Sequence, residues 1–125
     1  MKFERVLREY WEAEESRDLD AISRYYSEKS TLTVPQYGTL KGWGEICTFY
    51  EDSIRQYPML SVEVVNVYGG EEFKGAIEWR SKFGDSGGGE VWLEGVNCVT
   101  VDGDIIDNMK VYYDSVGFHS DTRSG

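Results

Sequence analysis

Tyr10, Tyr26 and Tyr50 are the side chains in this sequence best suited to chemistry inside a folded domain, because each falls on the apolar stripe of a segment with helical periodicity. A phenol in such a place has two uses. It can pack its ring and find one hydrogen bond for its hydroxyl, or it can donate that hydrogen bond to an oxygen on which charge develops during a reaction. Both uses stay open for Tyr10; packing is the simpler one for Tyr26 and Tyr50. Other chemistry-bearing residues are sparse. His119 is the only histidine and lies in a polar C-terminal stretch, while Cys47 and Cys98 are isolated and expected to be reduced and structural. Without CxxC or HxxxH spacings, no metal site and no cofactor are expected.

The chain has 125 residues, enough for one domain with one core and at most one pocket. Its formal net charge of −10 repels phosphate backbones, so nucleic acid is not an expected partner. The longest apolar stretch, residues 62–67, is broken by Glu63 and Asn66, so no membrane span is expected. The opening MKFERVLREYWEAEE is charged throughout and lacks the apolar run of a signal peptide, which points to the cytoplasm.

The elements that must position the tyrosines follow from hydrophobic period. Phe3, Val6, Leu7, Tyr10 and Trp11 recur at helical spacing, with Glu4, Arg8, Glu12, Glu14 and Glu15 on the other faces. Asp18 is a good N-cap for a second helix carrying Leu19, Ile22, Tyr25 and Tyr26 and ending near Ser27. Residues 31–34 are β-prone and stop at Pro35, and 36–41 read as a loop. Trp43, Ile46, Cys47, Tyr50 and Ile54 mark a third helix that Tyr57-Pro58 closes. From Met59 the pattern alternates, with breaks at Gly69-Gly70, at 84–89 and at Asp102-Gly103, giving four strands joined by hairpins.

This order, together with the segments AIEWRSKF, VDGDI and MKVYYD, resembles the nuclear-transport-factor-2-like superfamily, and most of all its SnoaL-like and ketosteroid-isomerase-like branches. The resemblance implies an α+β fold, a cone-shaped curved antiparallel (mixed) sheet wrapped around helices on its concave face, in the order α-α-β-α-β-β-β-β. It assigns residues 1–115 to the domain and 116–125 to a C-terminal tail. It also sets the strand parity. Ile77, Trp79, Ser81 and Phe83 then face inward, followed by Val91, Leu93, Gly95, Asn97, Val99 and Val101, and by Ile105, Asp107, Met109, Val111 and Tyr113. The three tyrosines match the hydrogen-bonded tyrosine network of ketosteroid isomerases, in which the residue corresponding to Tyr10 donates to the enolate oxygen.

Other positions depart from that pattern. Val34 stands where the isomerases carry their aspartate base, and Asn97 where they carry the protonated aspartate of the oxyanion hole. Asn97 can still donate a hydrogen bond, or it can satisfy a buried backbone group. Trp79, Ser81 and Val111 replace the Asp-Arg-Asp set of limonene-epoxide-hydrolase-like enzymes, and no pocket histidine serves a scytalone-dehydratase-like reaction. Asp107 is the only carboxylate on the inward parity near the sheet's end, where SnoaL-like cyclases use an acid; an exposed rim position is the simpler reading. The resemblance thus implies a pocket lined by Tyr10, Tyr26, Val34, Tyr50, Trp79, Ser81, Asn97, Met109, Val111 and Tyr113, with Tyr10, Asn97 and Asp107 as catalytic candidates. Its expected occupant is a small hydrophobic cyclic molecule with a carbonyl or hydroxyl. Proton transfer would make the protein an isomerase, cyclase or lyase. The alternative is a non-catalytic association module acting through the outer sheet face. A homodimer is expected through that face, which mixes Trp92, Val96, Ile106 and Tyr112 with charged residues.

Overall fold

Helix α1 (Lys2–Glu15) buries Phe3, Val6, Leu7, Tyr10 and Trp11, the stripe that its sequence sets apart, and lays it against the sheet. The computed structural model describes residues 1–115. Residues 116–125, and with them His119, lie outside the described residues. Asp18 caps helix α2 (Leu19–Ser23) by accepting a hydrogen bond from the Asp20 N–H at 3.0 Å. After strand β1 (Thr31–Val34), residues expected as loop form a short strand β2 (Gly38–Lys41), which pairs antiparallel with β1. Helix α3 (Gly42–Gln56) follows and buries Ile46 and Tyr50. The long strands are β3 (Met59–Glu71), β4 (Lys74–Gly84), β5 (Glu90–Asp102) and β6 (Ile105–Ser115).

These strands form one six-stranded sheet in the order β2-β1-β6-β5-β4-β3. Only β1 and β6 run parallel; the other pairs are antiparallel. The result is the curved, mixed α+β cone that the element order implies, with the added strand β2. Among the described residues no helix is long and apolar enough to cross a membrane.

At one end of α1 the Phe3 ring lies against Gly75, where a Cβ would come within 2.2 Å of it. Lys2 and Arg5 both pair with Asp104 in the β5–β6 turn, each at 2.8 Å. The other end of α1 approaches β3, where the Val62 N–H donates to Glu15 Oε2 at 2.8 Å. So α1 spans the sheet from its turns to the level of Val62, and Tyr10 and Glu14 must face what lies between.

Two bulges correct the strand reading. Gly69-Gly70 is not the β3–β4 hairpin. The strand continues to Glu71, and the register slips between Tyr68 and Gly70, with Gly70 at φ +135 where side chains rarely fit. The second bulge moves a candidate residue. On β6, Asn108 pairs with Thr100 and Ile106 with Val101, so Asp107 is an extra residue with no partner in the register. Parity reverses across it. Ile106, expected outward, is fully buried, and Asp107, expected inward, is exposed. Met109 is buried on the expected side, and Val111 and Tyr113 are half-buried there.

Gly95 leaves no room for a side chain. A Cβ there would lie 2.1 Å from the Tyr112 carbonyl oxygen and 2.9 Å from the Trp79 indole. Gly95→Ala must therefore part β5 from β6 or push out the indole, and should cost about 1–3 kcal/mol, read as a lower urea midpoint. An unchanged midpoint would show that this close approach does not constrain the sheet.

Candidate functional site

The three tyrosines meet. The Tyr50 hydroxyl on α3 is hydrogen-bonded to that of Tyr10 on α1, and on its other side to that of Tyr26, just beyond α2, at 2.7 Å. All three are buried, so burial raises each phenol above its ordinary range, Tyr10 and Tyr50 strongly. They stay protonated and act as donors and acceptors in one chain.

Glu14 lies one helical turn beyond Tyr10, on the same face of α1. Its side chain is 13 % exposed. Burial raises its carboxyl above the usual carboxylate range, while the Tyr10 hydroxyl and the Arg17 guanidinium act in the opposite sense and Glu15 adds a smaller upward push. Arg17, with a left-handed backbone at φ 56, is occupied elsewhere. Its guanidinium donates to the Tyr57 carbonyl at 2.9 and 3.2 Å and to Ser53 Oγ at 2.9 Å, and reaches Glu14 Oε1 only at 4.0 Å.

The opposite wall is the concave face of β4, β5 and β6. The Trp79 indole N–H donates to Asn97 Oδ1 at 2.8 Å, and the Asn97 amide donates to Met109 Sδ at 3.3 Å. Asn97 thus fixes the indole across the gap left by Gly95. Ser81, two residues along β4 from Trp79, is 4 % exposed, and among the described residues its hydroxyl has no hydrogen-bond partner.

Helices and sheet form a half-open cavity of about 330 Å³. Of the residues expected there, Tyr10, Val34, Tyr50, Trp79, Ser81, Asn97, Val111 and Tyr113 line it. Tyr26 and Met109 are buried behind that lining, where they hold Tyr50 and Asn97. Asp107 is the exception: it stands exposed on the far side of its bulge and is no part of the lining. The lining also includes Trp11, Glu14, Phe49, Tyr57, Leu60, Val62, Phe83 and Leu93. Its charge sets Glu14 with the polar faces of α1, but its spacing from Tyr10 and Trp11, four and three residues, is the signal that it belongs to theirs. Among the described residues, no group of three or more His, Cys, Asp or Glu side chains is placed to hold a metal ion.

The chain belongs to the SnoaL-like domain family, whose model matches residues 7–108. Solved structures share the fold at low identity. A putative SnoaL-like polyketide cyclase from Shewanella putrefaciens CN-32 superposes with a TM-score of 0.81 at 12% identity, covering 99% of this chain and 86% of that one. The Delta 5-3-ketosteroid isomerase from a Mycobacterium species gives 0.80 at 15% identity, covering 92% and 98%. RV0760c from Mycobacterium tuberculosis, in complex with estradiol-17beta-hemisuccinate, gives 0.79 at 16% identity, covering 90% and 94%. No curated protein sequence matches the chain.

The Glu14 environment predicts a pH effect with a definite sign. The folded protein holds the Glu14 proton more tightly than the unfolded chain does. The Glu14 contribution to stability therefore falls as pH rises from the unfolded carboxyl's value, about 4.3, through the raised folded value, and is flat above it. Glu14→Gln removes that slope. The stability difference between Glu14→Gln and parent, from urea midpoints at successive pH values, should grow in favour of the variant over this window. A difference independent of pH would contradict the burial of the carboxyl.

Proposed function

We propose that this protein binds a small, apolar, cyclic molecule carrying a carbonyl or hydroxyl inside the cone, and that it carries out proton transfer on that molecule as an isomerase, cyclase or lyase. The observation that carries the reading is the cavity itself: about 330 Å³, walled mainly by aromatic and aliphatic side chains, with hydroxyl, amide and carboxyl groups set among them. That is the composition of a site for a mostly apolar ligand oriented by one or two hydrogen bonds. Tyr10, Ser81 and Asn97 are the neutral polar groups that meet the ligand's oxygen. Neighbours of the same fold support the class of ligand, since RV0760c holds a steroid ester and another neighbour, TerC, was co-crystallised with polyporic acid. Val34, buried and apolar at the isomerase base position, argues against steroid isomerisation by the route of that enzyme.

Thermal shift against a panel of steroids, aromatic polyketides and cyclic terpenoids tests this reading. A ligand of the folded state at 100 times its Kd stabilises by about 2.7 kcal/mol, a readily measured rise in Tm. Leu93→Trp, which fills the cavity, should abolish the rise. No response across the panel, or an equal response in Leu93→Trp, would contradict binding inside the cone.

The same proposal includes a cytoplasmic homodimer built through the outer sheet face. On that face Trp92 and Tyr112 are 40% and 58% exposed, and Lys82 Nζ lies 5.5 Å over the Trp92 ring. Light scattering across the micromolar range should give twice the chain mass for the parent and a single chain mass for Trp92→Glu. A monomeric parent would remove the dimer; a dimer that responds to no ligand would favour a non-catalytic association module instead.

A further inference from the structure

We propose that Glu14 is the proton-transfer group of the cavity, accepting a proton from an activated carbon of a cyclic ligand whose oxygen is held by the Ser81 hydroxyl. The inference rests on the pocket reading above and supplies the base that Val34 cannot be. Three observations meet in it. Glu14 is the carboxylate in the cavity lining, and Tyr10 steadies it from the preceding turn of α1. It is not used up by its cation, because Arg17 spends its short hydrogen bonds on Tyr57 and Ser53 and stays 4.0 Å from Glu14 Oε1.

Ser81 supplies the third. Its hydroxyl is buried in the lining with no partner among the described residues, whereas those of Tyr10 and Tyr50 and the amide of Asn97 have theirs. A buried hydroxyl without a partner costs about 1–3 kcal/mol, a cost that a ligand oxygen would remove. The two groups stand at one level of the cone: Glu15, next to Glu14, binds the Val62 N–H, and Val62 pairs with Ser81 across β3 and β4.

The chemistry balances without a co-reactant. The Glu14 carboxylate takes the proton from the carbon beside a carbonyl. The C–H electron pair becomes the carbon–carbon double bond of an enolate, and the carbonyl π pair moves to the oxygen that Ser81 holds. Glu14 then returns the proton to the same carbon or to a conjugated one. The titratable groups facing the carboxyl are Tyr10, Glu15 and Arg17, with Tyr26 and Tyr50 behind them in the tyrosine chain, and burial is the largest influence, raising its proton affinity. A base poised in this way works closer to neutrality than an ordinary carboxylate.

Nitrobenzisoxazole tests the proposal without knowledge of the natural ligand. Loss of its ring C–H proton to a base breaks the N–O bond, moves that electron pair to the ring oxygen and yields a coloured cyanophenolate. The parent should accelerate this opening, with a rate that rises with pH to a plateau through a midpoint above the usual carboxylate range. Glu14→Gln should lose on the order of 10²-fold in rate, and Glu14→Asp, which keeps the carboxylate, should recover part of it. Binding of naphthol by thermal shift runs in parallel and should weaken in Ser81→Ala while persisting in Glu14→Gln. If parent and Glu14→Gln both bind naphthol and open the probe at equal rates, Glu14 is not the base and the pocket reading stands. If the parent does not bind naphthol, the pocket reading fails and this proposal with it.

Discussion

Every polar group carried into the cone must find a partner there, because an unmade hydrogen bond in a buried site costs more than a made one contributes. The Tyr10–Tyr50–Tyr26 chain is the answer on the helical side. It joins α1, α3 and the segment after α2 through three hydroxyls, and it works only if all three helices sit in one arrangement. Burial of those phenols keeps them protonated, so the chain stays a set of neutral donors and acceptors. The sheet answers in kind, with Trp79, Asn97 and Met109 linked across β4, β5 and β6. Both arrangements depend on close packing, and Gly95 is where the sheet yields the space.

Against this background of satisfied groups, two stand out. Among the described residues Ser81 has no partner, and Glu14 keeps its carboxylate turned into the cavity although a guanidinium lies nearby. The helical side thus presents a carboxyl of raised proton affinity, and the sheet presents a free hydroxyl. At the end of β1 stands Val34, buried and apolar, and the carboxylate that the cavity presents is the one on α1.

Much of this was legible in the sequence. Helical period placed Tyr10 and Tyr50 on buried stripes, and strand alternation, with its parity taken from the family resemblance, put Trp79, Ser81 and Asn97 on the inner face, because a single parity governs an uninterrupted strand. The strand failures share a cause. Asp107 and Ile106 exchanged places because one extra residue in β6 reverses parity, and nothing in the local residue types marks where a bulge falls. Gly69-Gly70 looked like a turn for the same reason: positive φ serves a bulge as well as a hairpin. Glu14 was hidden by its charge. A glutamate on a helix otherwise rich in exposed glutamates reads as solvated, although its spacing from Tyr10 sets it on the inner face. Its burial depends on Arg17 and the end of α3, which meet α1 only in the folded chain.

On the proposed reading the cone holds a ligand between the sheet hydroxyl and the helix carboxylate. A crystal structure of the protein grown with a cyclic enone tests it most directly. The account predicts the ring inside the cavity, with its oxygen at a hydrogen-bond distance of about 2.8 Å from Ser81 Oγ and with the Glu14 carboxylate against the carbon beside the carbonyl. An enone bound outside the cone, or one inside it with its oxygen turned away from Ser81 and Glu14 directed to Arg17, would contradict it.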